Sequence, residues 1–304
     1  MSNSHSNTLP ITGISYALAA VVIWTGFILV SKAGSLAALA LPDMMMVRFG
    51  TAFVLFFPFI WQHRHTILQW RMLVLGSIGG LAYALSVFNG FDHAPATHAA
   101  LLLPGLMPIM IAVFAFFLAN ERHNHVAWFG IMLSSLGIVA LISETLITGA
   151  SYWLGDASFI LACMFWGIFT VLLRRWKFAP WQATLGIIAV TTGLFAPIYA
   201  LFLPHQIGQA SWEMISLQAF YQGVMATTVQ MVCYGRAVHL IGATRMGSLM
   251  ALVPVFASTL AVPLFGESWS LGLTIALICI LLGTLVGNVS THLLRRKFVS
   301  KYIA

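Results

Sequence analysis

ATHAALLLPGLMPIMIAVFAFFLANE, residues Ala96 to Glu121, decides how the chain is read, because a second version of it follows: ATRMGSLMALVPVFASTLAVPLFGE, residues Ala243 to Glu267. The opening Ala-Thr, a mid-segment proline (Pro108 and Pro254) and the closing glutamate (Glu121 and Glu267) recur in both. Each copy exceeds the roughly 20 apolar residues that cross a bilayer, and each carries a proline where a helix in water would break. A hydrophobic helix that tolerates a central proline belongs in a membrane, and its repetition points to a duplicated machine.

The rest of the composition agrees. Of 304 residues, 60% are hydrophobic and 7% charged, against roughly 25% charged residues in soluble domains. The net charge of +7 would suggest nucleic acid in a soluble chain; here the basic residues lie between apolar runs and read as topology signals. The N-terminal MSNSHSNTLP lacks a basic signal-peptide region, so the run after it is expected to be an uncleaved first span. Cys163, Cys233 and Cys279 sit inside apolar runs without CxxC spacing and read as small buried hydrophobes.

Cutting at charges, prolines and polar clusters gives ten spans, roughly 11 to 31, 43 to 61, 71 to 91, 95 to 118, 126 to 143, 155 to 174, 180 to 203, 213 to 235, 243 to 266 and 269 to 291. With a cytoplasmic N-terminus, twelve of the 14 Lys and Arg residues fall on the inner side and only Lys32 and Arg48 on the outer. That bias places both termini, 1–10 and 293–304, in the cytoplasm. The duplication extends beyond the opening stretch. At an offset of 142, Gly13 meets Gly155, Ala20 meets Ala162, Trp24 meets Trp166, Phe27 meets Phe169 and Lys32 meets Arg174. Five spans per half force the second copy to insert upside down. The expected fold is therefore an all-α integral membrane protein with ten transmembrane helices in two inverted five-helix repeats, 11–145 and 155–292.

Several residues are placed to carry function. Pro104, Gly105 and Pro108 interrupt the fourth span and Pro254 the ninth, as a bent helix lining a cavity and flexing during access would require, or as packing kinks. Trp24 and Trp166 fall near the middles of their spans, with Tyr83 and Tyr234 on the third and eighth; they offer either flat cavity walls with one donor each or core packing. Asn89, Gln222, Thr227, Thr228 and Gln230 are polar at depth, fitted to hydrogen-bond a substrate or to join helices. Lys32 and Arg48 stand near the outer mouth, as entrance charges attracting a carboxylate or as snorkelling cations.

The carboxylates constrain mechanism. Asp43, Asp92, Glu121, Glu144, Asp156, Glu213 and Glu267 all map to span ends or loops, so no central acid serves as a proton relay. His93, His98 and His239 lie near the membrane surfaces and read as interfacial polar residues. Glu121 and Glu267 read as structural staples that bridge to nearby donors or cap the following helix, since no catalytic constellation accompanies them. Gly76, Gly79 and Gly80, and Gly283 with Gly287, allow close helix approach. Asn288 opens a glycosylation triplet inside an apolar run, where it would not be modified.

WTGFILVSK in the first span, VRFGTAF in the second, and two proline helices ending in Glu and followed by SSLGIVALI and ILLGTLVG together resemble the drug/metabolite transporter superfamily, specifically EamA-type ten-helix carriers. The resemblance covers nearly the whole chain. It implies a basket of ten helices around a central cavity, alternating access and, in many bacterial members, export of amino acids or related metabolites, with spans five and ten peripheral. The related four-helix multidrug exporters carry a membrane glutamate eight residues before the lysine ending their first helix. Trp24 and Trp166 stand there in this chain, so that acid-driven expulsion of cations is not implied.

These readings converge on a non-enzymatic secondary transporter in a bacterial inner membrane, exporting neutral or aromatic amino acids or related amphipathic compounds by uniport or exchange. Its partners are a small-molecule substrate and the lipid bilayer, without nucleic acid, cofactor or metal, and a monomer is expected, oligomers not excluded. The rivals are a carrier of phosphorylated or nucleotide-linked anions and a non-transporting receptor or scaffold.

Overall fold

The structure is a computed structural model that describes residues 11–37, 39–120, 125–147, 152–241, 246, 249–250, 252–283 and 285–286. Every regular element among these residues is helical. Taken in order, the long elements are α1 (Ile11–Leu36), α2 (Leu41–Gln62), α3 (Trp70–His93), α4 (Ala96–Ala119), α5 (His125–Ile147), α6 (Trp153–Trp176), α7 (Pro180–Phe202), α8 (212–241), α9 (Leu252–Phe265) and α10 (Leu271–Gly283). Six of them, α1 to α4, α6 and α7, are long and apolar enough to cross a membrane. α8 is long but less apolar, because Gln218, Gln222 and Gln230 punctuate it.

Local sequence explains most boundaries. α2 and α7 begin with proline in the first turn, after residues held extended, where the missing N–H has no helical partner to lose. α4 stops at Asn120 in the left-handed conformation (φ 53°), which asparagine tolerates better than most side chains. Pro104 and Pro108 lie inside α4 without ending it; Pro254 lies in the first turn of α9. α3 and α8 each widen into a π-helical stretch, at Ser77–Ala82 and Ala219–Val229. The two stretches start 219 − 77 = 142 residues apart, the offset that relates the first and sixth spans in the sequence.

The helices interleave across the two halves. α4 packs on α6 and α9, α2 on α7, α1 on the second half of α8, and α6 on the second half of α3. The first helix of each half thus lies on the third helix of the other. Small residues set the separations: a Cβ on Gly90 would run into the Phe159 ring, and one on Gly76 would lie 2.5 Å from Val190 Cβ. Phe88, Phe91 and Phe159 fill the core there completely shielded.

The two ends of the bundle differ. At one end α1 and α3 finish while α2, α4 and α6 begin, and polar side chains join the helices. Glu267, just past α9, accepts the Ala96 and Thr97 backbone N–H groups at 2.6 and 2.9 Å. His98 Nδ1 lies 2.7 Å from Asp156 Oδ1, joining α4 to α6, both side chains buried. Tyr199 donates to Asp43 Oδ1 at 2.6 Å and the Gln206 N–H to Oδ2 at 3.2 Å, joining α7 to α2. Lys32 donates to the Phe91 and Ala94 carbonyls at 2.9 and 3.0 Å, capping α3, where a cation meets the negative end of the helix dipole. We call this the clamped end, and the opposite one the open end.

Candidate functional site

A cavity of about 870 Å³ runs through the centre and draws lining residues from all ten helices, a volume within the range of small-molecule sites. It reaches Leu173 and the exposed Pro180 toward the open end, and in the other direction stops at Phe27, Arg48 and Phe49. None of the clamping residues lines it. It is therefore a pocket blind toward the clamped end.

Its walls are mainly aromatic and aliphatic. Trp24 from α1 and its counterpart Trp166 from α6 both line it, as does the second matched pair, Phe27 and Phe169. Tyr83 packs on Trp166 with ring centroids 5.0 Å apart, and Trp166 on Phe169 at 5.2 Å, forming a continuous aromatic panel. Such a panel presents large rigid apolar area to a planar ligand. Pro104, Gly105 and Pro108 bring the proline-bearing stretch of α4 to the cavity wall, and Pro254 of α9 also lines it. Cys163 is buried behind this stretch, its thiol 3.6 Å from the Leu102 carbonyl.

Two of the polar candidates line the cavity. Gln230 and Thr227 of α8 are on its wall, although the Thr227 hydroxyl donates to the Gln222 carbonyl of its own helix at 2.6 Å. Gln222 is buried away from it: its amide donates to Ser31 Oγ at 2.7 Å, while Gln218 donates to the Val30 carbonyl at 2.6 Å. These bonds sew α8 to α1. Asn89 donates to Ser158 Oγ at 2.7 Å and joins α3 to α6. Both amides thus act as interhelical links, which buried amides in hydrocarbon require.

The basic candidates separate. Lys32 is engaged at the end of α3 and does not line the cavity, whereas Arg48 does. The Arg48 guanidinium carbon stands 5.0 Å from the Phe27 ring centroid and 5.2 Å from that of Phe49. Its Nη1 makes one long bond, 3.5 Å, to Gln222 Oε1. Among the described lining residues it is the only charged side chain.

Glu267 caps α4 of the other half rather than the helix that follows it, because the interleaved packing carries the end of α9 to the start of α4. Glu121, Asn288 and both tails lie outside the described residues, as does the side chain of His239. α5 and α10 supply Gly130, Ile131, Ser134, Ile280 and Gly283 to the wall, so they are not merely peripheral as the family resemblance implies. Sequence reasoning left Asp43 and Asp156 as span-end acids. Their partners Tyr199 and His98 are remote in sequence, and only the complementary chemistry at neighbouring span ends hinted at them.

A family model, EamA-like transporter family, matches residues 11–143 and again 153–289. The chain is 30% identical over 141 residues to the aromatic amino acid exporter YddG of Ancylobacter novellus, covering 44% of this chain and 48% of that protein. It is 26% identical over 202 residues to the uncharacterized transporter YdeK of Bacillus subtilis, covering 63% and 67%, and 21% identical over 181 residues to an uncharacterized transporter of Clostridium kluyveri, covering 57% of each. The chain thus spans about half to two thirds of the length of these relatives. A crystal structure is similar with a TM-score of 0.60 at 22% identity, over 92% of this chain and 98% of that one, a likeness of fold.

Proposed function

This chain belongs to the EamA-like transporter family, and on that premise we propose that it is a secondary transporter, not an enzyme, exporting neutral or aromatic amino acids or related amphipathic compounds by alternating access. The observation that carries this reading is the 870 Å³ cavity, blind at one end and walled by Trp24, Tyr83, Trp166 and Phe169. Aromatic walls favour planar apolar side chains, and a one-sided pocket is what an alternating-access carrier presents in one of its two states.

The same reading takes the protein as ten spans in two inverted repeats in a bacterial inner membrane, monomeric, with both tails cytoplasmic. Supporting it are the two successive family matches, the π-helical stretches 142 residues apart and the reciprocal packing of first on third helices. With the charge bias setting orientation, the clamped end faces outward and the open end the cytoplasm, the state that loads substrate for export. The helices that carry Pro104, Pro108 and Pro254 then rock between the two gates.

A carrier of phosphorylated or nucleotide-linked anions fits less well. Such ligands bring two or more negative charges, and Arg48 is the only basic side chain among the described lining residues. The test is counterflow in liposomes containing the purified protein, using a panel of labelled amino acids. Accumulation of aromatic or neutral members supports the assignment; a flat response across the panel removes it. A ligand that binds without any flux would favour the receptor reading.

A further inference from the structure

Arg48 presents an unfinished electrostatic arrangement. It occupies the blind end of the cavity and is half-buried there. Its Nε has no hydrogen-bond partner, and the Nη1 contact to Gln222 is at the limit of a hydrogen bond. No carboxylate stands within ion-pair distance of it among the described residues, where the ion pair is that of His98 with Asp156. Asp43, on the same helix, is turned to Tyr199 and the Gln206 N–H.

The rings of Phe27, Phe49 and Phe88, at 5.0, 5.2 and 6.0 Å, supply cation–π contact. Contacts of that kind offset only part of the cost of withdrawing an ion from water. The balance therefore lacks an anion. Repeat packing does not demand the charge either, since the position 142 residues later is Val190, a buried apolar residue (190 − 48 = 142).

We propose that Arg48 is the specificity-determining group of the cavity and that it binds the carboxylate of an aromatic substrate whose ring lies against the Tyr83–Trp166 panel. The inference rests on the transport reading above. A carboxylate offers the planar pair of acceptors that matches a guanidinium, including the Nε that nothing now occupies. No acidic side chain lines the cavity among the described residues, so an ammonium group finds no counter-ion there. The carboxylate is then the essential charge and the amine is dispensable. Occupancy also competes for the Nη1 contact to Gln222, whose amide holds Ser31, so the ligand acts on the seam between α1, α2 and α8.

Three probes sharing one ring separate the charges: L-phenylalanine, 3-phenylpropionate and phenethylamine. The first readout is the thermal midpoint of the purified full chain in detergent, the second is inhibition of phenylalanine counterflow in liposomes. L-phenylalanine and 3-phenylpropionate should both raise the midpoint and compete within about tenfold of each other, while phenethylamine does neither at about 100-fold higher concentration. Arg48→Lys, which keeps the charge and loses the fork, should weaken both acids about tenfold, and Arg48→Gln further. Equal effects of phenethylamine and 3-phenylpropionate on the wild-type protein overturn the proposal without any variant, as does the absence of stabilisation by either acid. Stabilisation by the acids without counterflow would instead leave Arg48 as the anchor and remove the transport reading.

Discussion

The clamped and open ends of the bundle are built from the same repeated helices, yet they are held by different forces. At the clamped end, Glu267, Asp156, Asp43 and Lys32 each reach across to another helix, and all four links involve a buried group or a helix terminus. At the open end, one described link is Arg175 donating to the Leu118 carbonyl at 3.0 Å, exposed on the surface. A carboxylate on desolvated N–H groups is strong because water does not compete for it, whereas an exposed contact exchanges freely with solvent. The comparison teaches that apolar packing supplies the bundle while a few polar links decide which end is closed.

Breaking the links one at a time should reveal that ordering. The largest loss is expected for Asp156→Ala, which leaves the buried His98 without its partner; a stability decrease on the order of 3 kcal/mol should appear as a lower thermal midpoint in detergent. Glu267→Ala uncaps the first turn of α4 and should cost about 2 kcal/mol in the same measurement. Tyr199→Phe removes one bond to Asp43, which keeps the Gln206 N–H, so about 1 kcal/mol is expected. Arg175→Ala should lie within about 0.5 kcal/mol of the parent protein. A drop for Arg175→Ala as large as that for Glu267→Ala would refute the asymmetry.

Accessibility sharpens the same contrast without measuring stability. A cysteine placed at Leu173, partly exposed on the cavity wall toward the open end, should react with a membrane-impermeant maleimide added on the side that the charge bias assigns to the cytoplasm. One placed at Thr97, buried beneath the Glu267 cap, should react more slowly from either side. Equal rates would mean that the clamps do not seal.

Much of this was legible in the residues. The repeated proline stretch, the absence of charge in long runs and the 142-residue offset between Trp24 and Trp166 specify membrane helices in two related halves, because length and hydropathy are local properties of the chain. The aromatic candidates could also be singled out, since indoles far from the interface call for a reason. What a side chain at depth does was not legible. Gln222 and Gln230 look alike in sequence, eight residues apart on one helix, yet Gln222 is bonded to Ser31 while Gln230 faces the cavity.

The amino-acid sequence by itself determined the solvent of this protein, its helices and its internal duplication, since each follows from short-range pattern and composition. Only the tertiary structure decided which end is closed, which half Glu267 caps, and that Arg48 looks into the cavity while Lys32 does not. Those outcomes depend on helices interleaving across the halves, and the energy of a buried charge is fixed by the neighbours that packing brings to it.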